Sequence, residues 1–431
     1  MVFPHNTLVG DFHIHGKYAR ATSKDLTIPM LSKYAKVKGV DVLGTGDFQH
    51  PEWNKHLKSE LTETDAGIYV SKEGQRFLLS SEISFAYTQG GKGRRIHLVV
   101  LAPSLPVVDQ IAEALLKKGR LDYDGRPIFG MSCIEFVDLM RSISTEIEII
   151  PAHAWTPWFG VFGSKSGFDS LQECFQEKTK YIHAIETGMS SDPSMNWRLS
   201  QLDNIQLVSF SDSHSYWPWR IGREATIFDV KKPTYESIIA AIRTGHGIAG
   251  TVETDPGYGI YHFDGHRDCG ISYSPEESAR RKGICEKCGK PVTVGVAARI
   301  EELADFPEGR KSPNAKPHTN LIPLSELLAG VLDAGIATKK VWASYNALLQ
   351  QFPNEFHILL KATAEELQKV ASPEVVDIIL KNRTQQIKVK PGYDGVYGVP
   401  IIGNRALKIE PENPSGAQEA KAKRSPQRTL I

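Results

Sequence analysis

Up to about residue 250 the chain alternates short β-branched runs with longer amphipathic stretches, and this alternation constrains the fold more than any other feature. Strands are expected near 8–13, 41–46, 77–82, 95–102, 147–151, 181–186, 205–211 and 225–230, with helices between several of them. In PMLSKYAKVKG, Pro29 suits the first turn of a helix and Gly39 the position just past its end. About eight strands separated by helical segments predict an α/β barrel rather than a sandwich. From about 255 to 300 the sequence turns to a small Cys/His module, and 321–385 reads as helices, including SELLAGVLDAG, ATAEELQKVA and SPEVVDIILKNR. KPGYDGVYG is turn-rich, and the final stretch is poor in apolar side chains, which predicts a disordered tail. The expected division is a barrel over 1–252, a zinc-binding ribbon over 253–305, a helical DNA-binding region over 306–400 and a tail over 401–431.

A hydrophobic content of 41% over 431 residues is enough for real cores. Basic residues number 51 and acidic ones 50, so a surface for nucleic acid would have to be local. No apolar run reaches the roughly 18 residues of a membrane helix, and MVFPHNTLVGD lacks the basic and apolar regions of a secretory signal. The expectation is a soluble cytoplasmic protein with no membrane partner. Neither a GxxxxGK[ST] loop nor a Rossmann fingerprint occurs, which argues against a helicase or other P-loop enzyme.

Histidines and acids mark where the expected strands end. DFHIH places His13 and His15 two apart, so both point to one face and can grip one ion. GTGDF carries Asp47, LLSSE Glu82, RRIH His97, IIPAH His153, and FSDSH Asp212 and His214. All but His97 sit at C-terminal strand ends, the rim where α/β barrels assemble their chemistry. Carboxylates converging there would repel one another unless cations neutralised them. Carboxylate and imidazole without thiolate suit Zn, Mn, Fe or Mg, and this many donors suggests two or three ions bridged by Glu82 or Asp212. Such a centre can activate water and neutralise charge on a phosphate, so phosphate-ester hydrolysis is the natural reading, with Asp212, Glu82 and His15 at the catalytic centre. His50 and His56 read as surface residues and His183 as a core histidine. Glu186 reads as a ligand or a supporting carboxylate, and Asp11 as a residue that orients a ligand.

A second constellation is His266-x2-Cys269 followed by Cys285-x2-Cys288, the spacing of a four-ligand structural zinc site with Gly270 and Gly289 after its two knuckles. His262 rivals His266, but the two-residue gap favours His266. Cys133 and Cys174 stand apart. Arg267, Arg280, Arg281, Lys282, Lys287 and Lys290 surround the ligands and offer charge to a polynucleotide or simply to solvent.

The strand-end motifs resemble the polymerase and histidinol phosphatase (PHP) superfamily of distorted barrels with multinuclear metal centres. The resemblance implies that His13, His15, Glu82 and Asp212 hold one ion, that Glu82, His97 and His153 hold a second, and that Asp47 and His214 hold a third. Ala21, within GKYARATSKD, stands where that superfamily usually has another ligand, which weakens the third site.

Over roughly residues 8–400 the chain resembles endonuclease Q, through GTGDF, HAWTPWFG, ETGMSSDPSMNWR, YHFDGHRDCG, the Cys-x2-Cys ribbon, SELLAGVL and KPGYDGVYG. That resemblance implies incision of DNA on the 5′ side of deaminated bases and abasic sites, and a nucleoid-associated location. Deamination replaces an amine donor and ring-nitrogen acceptor by a carbonyl acceptor and an N–H donor. A buried pocket built for the second pattern can reject the first by about 10⁴ or more. Reaching that edge requires a flipped nucleotide. Trp155, Trp158 and Phe159 in one loop and Ser190, Ser191, Asn196 and Arg198 in another are the expected linings, the alternative being loops that pack on themselves. Gln427 and Leu430 faintly resemble a sliding-clamp peptide. Rival functions are a small-molecule phosphatase on the same barrel and a nucleic-acid-binding protein whose barrel is inactive.

Overall fold

The computed structural model describes residues 4, 7–402 and 405–406. Gln427, Leu430 and most of the expected tail lie outside the described residues.

All eight expected strands form: β1 (Leu8–Asp11), β2 (Val42–Gly44), β3 (Arg76–Gln89), β4 (Lys92–Ala102), β5 (Glu148–Pro151), β6 (Ala184–Glu186), β7 (Gln206–Val208) and β8 (Ala225–Phe228). β1 pairs in parallel with β2, and β2 with β3. β3 and β4 form a long antiparallel hairpin, β4 runs antiparallel to β5, and β6 and β7 form a parallel pair. The ring is completed by Ala154 N–H to the Glu186 carbonyl (3.0 Å), by Ser209 N–H to the Thr226 hydroxyl (3.0 Å), and by antiparallel pairing of β8 with β1. Three antiparallel junctions distort the barrel relative to an all-parallel one. Its interior is apolar, with Phe12, Val42, Leu78, Val99, Ile150, Ala184, Val208 and Phe228 buried from successive strands.

The helix expected from Pro29 to Gly39 forms as α1 (Ile28–Lys38), and Gly39 at φ +96° closes it where a side chain would be strained. The sequence reading missed the hairpin Leu61–Asp65/Ile68–Ser71 and the strand β9 (Ile248–Glu253) that extends the sheet beyond β8.

The ribbon is built on the antiparallel pair β10 (Asp264–His266) and β11 (Ile271–Tyr273), over a core of only Ile271, Tyr273, Cys285 and Val292. Beyond it α2 (Leu324–Leu332), α3 (Lys339–Gln351), α4 (Glu355–Leu360), α5 (Ala364–Gln368) and α6 (Pro373–Arg383) form the helical region. The strands Lys388–Lys390, Val399–Ile402 and Arg405–Ala406 then make a small antiparallel sheet, so the chain runs as strand through residue 401, where the tail was expected to begin. The helical region shares one continuous core with the barrel helices. Its deepest link is Lys38 of α1, fully buried, whose ammonium lies 2.7 Å from Glu355 of α4. The remaining carboxylate contacts come from Leu324 N–H (3.0 Å) and the Tyr345 hydroxyl (2.7 Å). No helix among the described residues is long and apolar enough to cross a membrane.

Candidate metal centre and its cavity

The strand ends converge as the sequence reading expects. One donor group joins His13, His15, Glu82 and Asp212, a second joins Glu82, His97 and His153, and within each group the donor atoms lie within 4.8 Å of one another. Asp47, His153 and Asp212 all take positive φ (43°, 29° and 47°), a backbone that turns each side chain sharply off the strand end. Glu82 is shared by both groups: Oε1 lies 2.6 Å from His97 Nδ1 and 3.1 Å from His153 Nε2, and Oε2 lies 3.2 Å from His15 Nε2 and 3.6 Å from His13 Nε2.

The histidines are held from behind. Glu186 faces His13 Nδ1 at 3.0 Å and also accepts the main-chain N–H of His153 at 2.6 Å, so it supports two ligand positions rather than joining a donor group. Asp47 faces His15 Nδ1 at 3.1 Å and accepts Gly16 N–H at 2.6 Å. Gly125 packs so closely that a Cβ there would sit 2.2 Å from the Asp47 carboxylate. These carboxylates fix the Nδ1–H tautomer and leave both Nε2 lone pairs facing the mouth. Buried His13 Nε2 has no hydrogen-bond partner. An orphaned buried imidazole nitrogen beside two carboxylates fits a metal ligand and little else.

Burial alone would depress His13 and His15. The carboxylates of Glu186, Asp212 and Glu82 around His13, and of Asp47, Asp212 and Glu82 around His15, outweigh burial and hold both rings well above the ordinary value. Burial opposes the charge of Glu82 too, but Arg126, His97 and His13 win and keep its carboxyl well below the usual range. At His97 burial wins: it drives the ring down to about 3 despite Glu82, and Arg126 adds to the effect. Protons thus balance the acids until a divalent cation displaces them.

The third expected pair, Asp47 and His214, lies on either side of His15. Both Asp47 oxygens are committed to His15 and Gly16, and His214 stacks on the His15 ring (4.2 Å) with Nε2 3.7 Å from Asp212, its Nδ1 donating to the Arg20 carbonyl (3.1 Å). Among the described residues neither Asp47 nor His214 enters a donor group of three or more. Asp47→Ala is therefore expected to cut activity by about 10- to 100-fold, the effect of losing an orienting partner, with metal content largely kept. Metal analysis beside a rate measurement checks this, and complete loss of an ion would overturn it.

A cavity of about 450 Å³ opens from the second donor group, within the range of pockets that hold small ligands (about 300–1,000 Å³). His97, His153, Asp212 and Arg126 form its metal side, and Trp158, Phe159, Ser190 and Tyr261 are among its other walls. Four expected linings do not reach it. Trp155 is buried and donates its indole N–H to Asn196 (2.7 Å), Ser191 donates to the Thr187 carbonyl (2.7 Å), and Arg198 forms an ion pair with Glu301. These residues pack the two loops against each other and against the helix Val296–Leu303. Arg126, which the sequence reading missed, lies 2.8 Å from Glu82 with about a quarter of its side chain exposed (27%). Its one sequence signal is an arginine in the turn DGRP, which is weak.

Asp11 holds the chain rather than a ring: it accepts N–H groups of Ser211 (2.9 Å) and Gly222 (2.8 Å), bracing the turn that carries Asp212. His50 is a correction as well, being buried and stacked on Tyr18. His56 accepts the main-chain N–H of Ile28 (3.2 Å), and His183 pairs with Glu148 (2.8 Å).

In the ribbon, His266, Cys269, Cys285 and Cys288 form a third donor group, with Cys288 Sγ 3.3 Å from His266 Nδ1. His262 lies outside it, stacked on Phe263. Burial would raise the Cys285 thiol, but main-chain N–H groups of Cys288 and Lys287 outweigh it and lower it to about 6, which readies a thiolate.

Residues 323–386 match the family model described as the MJ0043 C-terminal domain. The uncharacterized protein MJ0043 of Methanocaldococcus jannaschii is 32% identical over 253 residues, 57% of this chain, and the chain spans 31% of the length of that relative. The lesion-specific endonuclease PfuEndoQ from Pyrococcus furiosus superposes with a TM-score of 0.82 at 31% identity, covering 95% of this chain and 99% of that one. An endonuclease Q in complex with a 27-mer duplex bearing an abasic lesion at its active site gives 0.82 at 32% identity, covering 94% and 98%.

Proposed function

The chain belongs to the endonuclease Q family, and from that premise we propose that it hydrolyses the phosphodiester bond on the 5′ side of a deaminated base or abasic site in duplex DNA. The observation that carries this reading is the pair of donor groups sharing Glu82 at the edge of a cavity of nucleotide dimensions. His13, His15, Glu82 and Asp212 would hold one ion and Glu82, His97 and His153 another, while His266, Cys269, Cys285 and Cys288 would hold a structural zinc. Bound divalent cations supply a hydroxide at neutral pH and neutralise charge developing on the phosphate.

The chain's own residues do the rest. Glu186 and Asp47 keep the imidazoles aimed at the mouth. The planar Arg126 guanidinium, at the cavity wall and partly exposed, can leave Glu82 and take a phosphate oxygen. Trp158 and Phe159 offer ring faces to a nucleotide turned out of the helix. The ribbon and helical region supply duplex contacts beyond the cavity.

The test is a labelled duplex with a single uracil, hypoxanthine or abasic site, incubated with Mg²⁺ or Mn²⁺. The expected product is a nick 5′ to the lesion, with the undamaged duplex left intact. Hydrolysis confined to p-nitrophenyl phosphate or a sugar phosphate would overturn the reading.

A further inference from the structure

One short loop after β5 carries both a ligand position and a wall of the cavity. Thr156 lies in it, half-buried at the cavity edge, three residues after His153. Its Oγ1 is 3.0 Å from His153 Nδ1, 3.1 Å from the His153 carbonyl oxygen and 3.0 Å from the Trp158 carbonyl oxygen. A hydroxyl has a single hydrogen and carbonyls only accept, so that hydrogen goes to the carbonyls and Nδ1–H donates to Oγ1. Aimed at Nδ1 instead, it would leave both carbonyl oxygens facing lone pairs. The remaining nitrogen, Nε2, therefore turns its lone pair toward Glu82 Oε1 (3.1 Å) and His97 Nδ1 (3.1 Å), the other donors of the second group. The same loop seats His97: the Phe159 carbonyl accepts its main-chain N–H at 2.9 Å, and the Phe159 ring lies 4.2 Å from its imidazole. Gly160 lets the loop wind this tightly, since a Cβ there would come within 2.7 Å of the Ala154 and Thr156 carbonyl oxygens. His13 and His15 are backed by the carboxylates of Glu186 and Asp47, whereas His153 is backed by a neutral hydroxyl.

We propose that Thr156 is a positioning residue for the second donor group: it fixes the Nδ1–H tautomer of His153 and aims Nε2 at the ion that Glu82, His97 and His153 would hold. This deepens the reading of the barrel rim as a metal centre and rests on it. A carboxylate behind an imidazole raises the basicity of the opposite nitrogen more than a hydroxyl does, and the second group has three donors where the first has four. The second ion is therefore the more weakly held of the two, and its hold depends on the Thr156 hydroxyl.

The experiment titrates Mn²⁺ into the full-length protein, cleared of barrel metal by a chelator and still holding its ribbon zinc, and measures the bound equivalents and their affinities. The unsubstituted protein is expected to bind two equivalents in the barrel, one more weakly than the other. Thr156→Val, of the same branched shape, should weaken the weaker equivalent by about 10- to 100-fold and leave the tighter one alone. Nicking of an abasic duplex should fall in parallel and recover as Mn²⁺ is raised. Thr156→Ser, which restores the hydroxyl, should bind and cut as the unsubstituted protein does. In a His97→Ala background, whose second group is already broken, Thr156→Val should have no further effect on the remaining equivalent. Unchanged Mn²⁺ affinity in Thr156→Val overturns the proposal, as does a Thr156→Ser variant that behaves like the valine one. Equal weakening of both equivalents, or a nicking loss that added Mn²⁺ does not restore, would mark a structural role and also overturn it. So would a barrel that binds fewer than two equivalents. Should Thr156→Val fail to fold, Thr156→Ala is judged by the same titration. If Mn²⁺ binding follows the expected pattern but no lesion duplex is nicked, the nuclease reading fails while the role of Thr156 stands, which separates the two.

Discussion

Glu82→Gln is expected to lower nicking of a lesion duplex by about 10³-fold or more and to strip metal from both donor groups of the barrel. One carboxylate oxygen faces His97 and His153 and the other faces His13 and His15, so a single amide removes an anionic donor from each group. The protein should still fold. The amide keeps the shape of the side chain, and Arg126 can turn to water when its partner loses its charge. Metal analysis, a gel nicking assay and circular dichroism together check this. A rate within tenfold of the unsubstituted protein, or unchanged metal content, would remove Glu82 from the centre.

Cys285→Ser is expected to act at the opposite end of the site. Cys285 is wholly buried in a cluster of only a few apolar side chains, too small to fold without the ion. Zinc typically supplies about 10–16 kcal/mol to such modules. The variant should lose one zinc equivalent, expose residues near 264–293 to limited proteolysis, and bind duplex about tenfold or more weakly as the basic residues of the ribbon lose their arrangement. Barrel metal content should be unaffected. Retained zinc, or unchanged affinity after its loss, would show that the ribbon does not present DNA contacts.

Much of this architecture was legible because strand periodicity and strand-end chemistry coincide. Each of the eight expected strands has a counterpart, and His13, His15, Glu82, His153 and Asp212 gather as their positions at strand ends imply, with His97 joining them from within β4. The hairpin around Thr62 and Glu63 escaped notice because its exposed face is polar and carries no apolar run. Asp47 shows a harder limit. A sequence can place an acid at a strand end, but whether its oxygens face an ion or the back of a histidine depends on a left-handed backbone and on the close approach of Gly125, which is distant in the chain. Trp155 and Trp158 make the same point in one loop: three positions apart and chemically alike, one is buried against Asn196 and the other lines the cavity.

The Lys38–Glu355 pair joins a barrel helix to the C-terminal region inside continuous hydrocarbon packing. Pulling those parts asunder would strand an ammonium and a carboxylate in oil, a cost of several kcal/mol before any apolar surface is counted. The two halves thus share one mechanical frame, unlike beads on a string. Grafting the helical region onto another barrel would mean transplanting the lysine's helix along with it.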